Sequence, residues 1–140
     1  MASLTVTASQ VLLVSGSGID VVWDNTVTQG MSVRYAPTTG FWGPAQSDNG
    51  TTDSGIYGLG IALTGGSSGQ TGKVAGPGCI VKLGAGAAPA AGVVFVCGAT
   101  AGDIAPTADV GSAAYRGIVG VGNGSNNVKV IGVAADVVIA

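Results

Sequence analysis

Few residues of this 140-residue chain could take part in acid–base chemistry. The sequence contains neither His nor Glu, and charged residues make up only 9% of it. Seven Asp and five Lys or Arg residues are the entire charged set. General acid–base catalysis needs titratable side chains of suitable pKa held close together, and this set is too sparse to supply them. The composition therefore predicts a protein that is not an enzyme and that binds no cofactor.

Three stretches nevertheless have a spacing that could bind phosphate, metal or sugar. Residues 67–74 (SSGQTGKV) are Gly-rich, but a phosphate-binding loop would need Gly at the first position and Ser or Thr after the lysine. Residues 48–53 (DNGTTD) offer oxygen ligands without the alternating carboxylates and terminal Glu of a calcium loop. Asp103 and Asp109 flank Pro106, where a carboxylate pair for glycoside hydrolysis would also need a partner of raised pKa. We interpret all three stretches as surface turns.

Aromatic residues near a Pro- and Gly-rich loop are the strongest candidates for a binding site. Four of the seven aromatic residues precede residue 43, around the loop at 37–44, and Trp and Tyr provide a large contact area at low entropic cost. Core packing, a protein interface and a sugar platform remain open for them. With one neighbouring cation they form the candidate interface, which comprises Trp23, Arg34, Tyr35, Phe41 and Trp42.

The charge pattern argues against nucleic-acid and membrane partners. The formal net charge is −2, and the five cations lie singly along the chain, which leaves no basic patch for DNA or RNA. Polar residues or Gly interrupt every apolar run well before the roughly 20 residues that span a bilayer. Ordinary domains carry about 25% charged residues, so a 9% content predicts a surface covered by copies of itself or by a larger assembly.

The two cysteines and the first residues bear on the compartment. Cys79 and Cys97 each lie in an apolar run, which favours buried free thiols over a disulfide between them. In residues 78–83, alternation places Cys79, Val81 and Leu83 on one inward face and Lys82 on the other. Residues 1–7 contain no basic stretch, so the apolar patch at 11–14 does not predict a signal peptide. We expect synthesis in the cytoplasm.

Beta structure must position these side chains, because the apolar residues are mostly Val and Ile, which favour strands. We expect an all-β fold, a small Gly-rich β-barrel or sandwich with an N-terminal β-rich segment or arm. A division near residue 53 separates residues 1–53, the arm with its aromatic loop, from residues 54–140, the barrel-like domain. Strands are predicted at 3–7, 11–14, 19–23, 31–35, 56–63, 71–75, 78–83, 92–98, 116–121, 127–133 and 136–139. Residues 122–127 are expected to form a hairpin loop.

The spacing of small and branched residues from residue 60 to residue 133 resembles a known family. The segments are 60–63 (GIAL), 69–74 (GQTGKV), 78–83 (GCIVKL), 92–96 (GVVFV), 101–106 (AGDIAP), 117–121 (GIVGV) and 128–130 (VKV). Together they resemble the β-barrel of tailed-bacteriophage capsid cement, or decoration, proteins.

The resemblance implies a structural virion protein on the outer surface of a phage head. Such a protein would bind the major capsid protein as a homotrimer and stabilise its lattice against internal DNA pressure. The alternative function is a carbohydrate- or receptor-binding β-module on a phage tail or cell surface, using Trp23 and Trp42.

Overall fold

The computed structural model describes residues 4–47, 57–84, 89–98, 100–106, 115–124 and 127–138, with the backbone alone at 115–116 and 133–138. These residues form one short 3-10 helix, Ala8–Gln10, and eleven strands. The strands are β1 (Leu12–Ser15), β2 (Gly18–Val22), β3 (Ser32–Ala36), β4 (Phe41–Pro44), β5 (Leu59–Ala62), β6 (Thr71–Ala75), β7 (Ile80–Lys82), β8 (Val94–Cys97), β9 (Ile104–Pro106), β10 (Tyr115–Gly124) and β11 (Asn127–Val138). The predicted all-β fold is confirmed.

The strands form two antiparallel sheets in a sandwich-like arrangement. Sheet A has the order β1-β7-β11-β10-β8-β9, and sheet B has the order β2-β6-β5-β3-β4. The described strands do not close into one barrel, so the sandwich is the observed form of the two that were predicted. The outermost strands of sheet B do meet at one parallel bridge, between Trp23 and Trp42. Sheet B is therefore strongly curved, so that its two edge strands, β2 and β4, approach each other.

Two clusters of buried side chains fill this arrangement. The inter-sheet core joins the inner face of sheet A to one face of sheet B, and its largest members include Leu59, Ile61, Leu83, Phe95 and Ile104. The sheet B core lies on the other face of sheet B and consists of Val21, Trp23, Val27, Val33, Ala62 and Val74. Strand β5 is buried along its whole length because it contributes to both cores. Its apolar run without polar alternation is typical of a strand covered on both faces.

Strands from both parts of the predicted division hydrogen-bond to each other. Strand β1 pairs with β7, β2 with β6, and β3 with β5. The expected boundary near residue 53 itself lies outside the described residues. On its two sides, the segments 12–44 and 59–138 contribute strands to both sheets.

The predicted strand positions differ from the observed ones mainly where proline occurs. The loop expected at 37–44 contains β4, and the turn expected between Asp103 and Asp109 contains β9. Pro44 and Pro106 end these strands, and both strands lie at sheet edges, where a missing backbone N–H is tolerated. The strand expected at 3–7 is irregular over residues 4–7. The strands expected at 127–133 and 136–139 are one strand, β11, as far as residue 138.

Candidate interface at the β3–β4 hairpin

The β3–β4 hairpin determines which of the predicted interface residues lie together. Tyr35 pairs with Trp42 and Ala36 with Phe41, across a turn in which the Gly40 N–H donates to the Ala36 carbonyl at 2.8 Å. Directly paired residues share a face of the sheet, and the next pair along occupies the opposite face. Tyr35 and Trp42 therefore lie on one face, whereas Phe41 lies on the other.

Tyr35 and Trp42 form an aromatic pair that is half-buried. Their ring centroids are 5.7 Å apart and their planes are tilted by 58°, within the range of favourable aromatic contacts. Gly58 packs against both side chains, since a Cβ at that position would lie 3.2 Å from Tyr35 Cβ and 3.4 Å from Trp42 Cη2. The Gly58 carbonyl also accepts a hydrogen bond from the Tyr35 N–H at 3.0 Å. We call Tyr35 and Trp42 the aromatic pair.

Tyr57 is an aromatic residue next to this pair that the sequence analysis missed. It immediately precedes Gly58, and its side chain is 55% exposed. The sequence placed it inside a predicted strand at 56–63, whereas β5 begins at Leu59. Gly55 and Gly58, which bracket Ile56 and Tyr57, were the signal for a turn that could have corrected this boundary.

Trp23 lies in the sheet B core and presents no surface. It is completely buried, and its indole ring packs so closely on Gly72 that a Cβ there would overlap the ring. The Asp24 N–H donates to the Trp42 carbonyl at 2.8 Å, beside the Trp23–Trp42 bridge. Of the three roles left open for this tryptophan, core packing is the one that its position supports. It holds the end of β2 against β4, the strand that carries Trp42.

Arg34 forms an ion pair on the face of the hairpin opposite the aromatic pair. Its Nη1 lies 2.7 Å from Asp24 Oδ2, with the two side chains only 12% and 22% exposed. A Cβ at Gly43, the residue paired with Arg34 across the hairpin, would collide with Asp24 Oδ1. A charge-assisted hydrogen bond of this kind is stronger than a neutral one. Arg34 therefore fixes the hairpin to the segment after β2 rather than offering an exposed cation.

The five predicted interface residues thus do not form one platform. The hairpin brings Tyr35 and Trp42 together, places Phe41 on its other face at 38% exposure, and leaves Arg34 in an ion pair and Trp23 in the core. The surface that this region can offer a ligand is the exposed part of the aromatic pair, with Tyr57 beside it.

The structure describes only part of the three other stretches that were considered as binding sites. In the loop at 67–74, the Ser67 N–H donates to Gln70 Oε1 at 2.8 Å, and Lys73 Nζ lies 2.6 Å from Asp20 Oδ1. The lysine of this loop is therefore engaged with a carboxylate. Residues 48–53 and Asp109 lie outside the described residues. Among the residues that are described, no three His, Cys, Asp or Glu side chains lie close enough to hold a metal ion.

Both cysteines are buried thiols outside any disulfide, as expected. Cys79 Sγ donates to the Ser17 carbonyl at 3.4 Å, and both thiols belong to the inter-sheet core. The predicted alternation is confirmed, because Val81 and Leu83 share this core whereas Lys82 is exposed. Burial raises the pKa of the Cys97 thiol from 9.0 to about 11. A thiol held in the protonated form is a poor nucleophile and a poor metal ligand.

Several large apolar side chains are exposed on the isolated chain. They are Leu12 (60%), Val14 (50%), Ile19 (46%), Phe41 (38%), Tyr57 (55%) and Val94 (38%).

In the part of the chain that the structure describes, no helix has the length and apolar character needed to cross a membrane. Comparisons with family models, with curated proteins and with solved structures found no match to this chain.

Proposed function

We propose that this chain is a non-enzymatic structural protein of a tailed-phage virion that binds the outer surface of the head. It would act as a cement, or decoration, protein and stabilise the lattice of major capsid protein. The observation that carries this proposal is the exposure of large apolar side chains, Leu12 and Val14 foremost, on a chain with only 9% charged residues. Exposed apolar surface with so little charge favours a protein that is covered when it functions. The resemblance of residues 60–133 to cement proteins supports the same conclusion.

The proposed mechanism is stabilisation by binding. A ligand that binds the assembled shell but not the loosened one stabilises the shell by about 2.7 kcal/mol per site at a free concentration of 100 times Kd. We further propose a homotrimer, because three-fold closure suits an icosahedral lattice and linked sites bind more tightly than single ones. The protein would be made in the host cytoplasm and would need no cofactor, nucleic acid or membrane.

The aromatic pair is the favoured anchor for this interaction. Interface hot spots are enriched in Trp and Tyr that are already packed in their binding conformation, because little side-chain entropy is then lost. Trp42 meets this description, since Tyr35 and Gly58 hold its ring and it also packs on the sheet B core. Most of the remaining contact surface would contribute complementarity rather than large individual energies.

The test is binding to empty heads assembled from the major capsid protein encoded in the same genome. We expect the purified protein to sediment with these heads in a saturable manner and to raise the temperature at which they disrupt. Heads that neither bind the protein nor gain heat resistance would contradict the proposal.

A carbohydrate- or receptor-binding module is the second candidate, and the aromatic pair is also the observation that favours it. Exposed Tyr and Trp rings can stack on sugar faces, and Tyr57 adds a third aromatic ring nearby in the chain. A glycan array distinguishes the two functions. Firm glycan binding by a protein that ignores the heads would support the second.

A further inference from the structure

The outer face of sheet A, turned away from the inter-sheet core, carries two lysines among apolar side chains. Strand register places them there, because residues paired directly across neighbouring strands share a face. Lys82 pairs with Leu12, Lys129 pairs with both Ile80 and Val121, and Val121 pairs with Val94. We call this surface the lysine face, and its residues are Leu12, Ile80, Lys82, Val94, Val121 and Lys129.

The two lysines are diagonal neighbours, and among the described residues neither has a carboxylate partner. Asn127 lies directly opposite Lys82, so Lys129 is two residues further along the adjacent strand. Residues in such diagonal positions are about 7–8 Å apart, and their Cβ atoms are slightly closer. Neither lysine forms an ion pair with a described residue, whereas Lys73 and Arg34 each have an aspartate partner. Two like charges therefore repel each other on this face of a chain whose net charge is −2.

We infer that the lysine face binds a protein surface on which carboxylates lie between apolar side chains. A carboxylate placed between Lys82 and Lys129 would relieve their repulsion, and the same contact would bury Leu12, now 60% exposed, and Val94, now 38% exposed. The inference rests on the proposed function, and it assigns this chemistry to the outer surface of the major capsid protein. It adds a second contact, on the other sheet from the aromatic pair.

A second copy of the chain does not fit this face in a two-fold contact centred on the lysines. Such a contact would place Lys82 and Lys129 against the same two lysines of the other copy, and four positive charges would meet without a carboxylate between them. A nucleic acid would supply negative charge but would leave Leu12 and Val94 without apolar contacts. An apolar surface with interspersed carboxylates would contact both the two lysines and the exposed apolar side chains of this face.

The test titrates a double charge reversal of the lysine face, and a single charge reversal on sheet B, onto the empty heads. We expect Lys82→Glu with Lys129→Glu to raise Kd about tenfold at low salt, because it replaces attraction with repulsion. Wild-type binding should weaken as salt is raised, and this dependence should largely disappear in the double variant. The control is Lys73→Glu, a single charge reversal of the same type at an exposed position of sheet B, which should leave Kd within about twofold. Lys82→Gln with Lys129→Gln gives the same test if the Glu variant does not fold.

Each other outcome overturns the inference in a different way. If the double variant binds heads as tightly as the wild type, the lysine face is not the contact, and the proposed function stands. If the wild type does not bind heads at all, both fail. If the wild type binds phosphatidylserine vesicles and the double variant does not, the face recognises a membrane surface instead of a protein.

Discussion

Sheet B is buried on both faces at its centre, whereas sheet A leaves part of its outer face exposed. Strand β5 of sheet B contributes Leu59 and Ile61 to one core and Ala62 to the other. In sheet A, Val81 and Val128 are buried while Lys82 and Lys129 on the same strands are exposed. The two sheets therefore expose different kinds of surface. Sheet A exposes the face of several neighbouring strands, whereas sheet B exposes the β3–β4 hairpin at its edge.

The largest expected effect comes from removing the centre of the sheet B core. Trp23→Ala should lower the free energy of unfolding by about 3–5 kcal/mol, because a fully buried ring leaves a cavity. Urea denaturation followed by far-UV circular dichroism measures this loss. The matched control is Phe41→Ala, a partly exposed ring on the same sheet, for which we expect less than about 1.5 kcal/mol. A Trp23→Ala loss no larger than the control would show that the inter-sheet core alone holds the fold.

Alkaline pH should weaken the inter-sheet core through Cys97. The folded protein holds this thiol protonated up to a pKa of about 11, whereas the unfolded chain releases its proton near 9.0. The stabilising contribution is therefore complete below pH 9 and is lost as pH rises to 11, by about 3 kcal/mol in all. Denaturation at pH 8, 9, 10 and 11 should show a steeper loss for the wild type than for Cys97→Ala. Cys79→Ala keeps Cys97 and serves as the control, so equal slopes for all three proteins would contradict the prediction.

The hairpin of sheet B should contribute to binding more strongly on one face than on the other. Trp42→Ala should weaken binding to empty heads by about 2 kcal/mol, near thirtyfold, as expected for a packed aromatic hot spot. Phe41→Ala changes a neighbouring aromatic on the opposite face and should cost under about 1 kcal/mol. Titration of heads with each variant measures both values. A larger effect at Phe41 would indicate that the contact lies on the face of the hairpin that carries Arg34.

The smallest expected effect is at the exposed ion pair on sheet B. Lys73 and Asp20 are 55% and 84% exposed, so solvent screens their attraction. Lys73→Gln should change the free energy of unfolding by about 0.2–1 kcal/mol or less. Thermal denaturation at two salt concentrations checks this value. A loss above 2 kcal/mol would mean that the pair is essential to the pairing of β2 with β6.

The sequence was sufficient for the fold class and for the alternation of individual strands. Val- and Ile-rich runs predicted the sheets, and the inward positions of Cys79, Val81 and Leu83 followed from a period of two. It was insufficient where tertiary contacts decide the outcome. The Pro and Gly content around Phe41–Pro44 predicted a loop, but pairing with β3 makes this segment a strand at a sheet edge.

The candidate site was only partly predictable for the same reason. The sequence grouped aromatic residues by nearness along the chain, but the strand register divides them between two faces. Trp23 is buried because Gly72, 49 residues away, provides a flat backbone surface for its ring. The lysine face was not foreseen either, since Lys82 and Lys129 become neighbours only through the pairing of β7 with β11.

The pairing of β1 with β7 also has a consequence for the order of folding. Leu12 and Lys82 are 70 positions apart, so on the ribosome β1 emerges long before β7, the strand next to it in sheet A. Closing so long a loop costs more entropy than closing the β3–β4 hairpin, and local pairings therefore form first. Leu12 and Lys82 come together only after Lys82 has been synthesised. A chain that stopped before Lys129 would lack part of the lysine face, so the complete surface forms only after the chain has been made through residue 129.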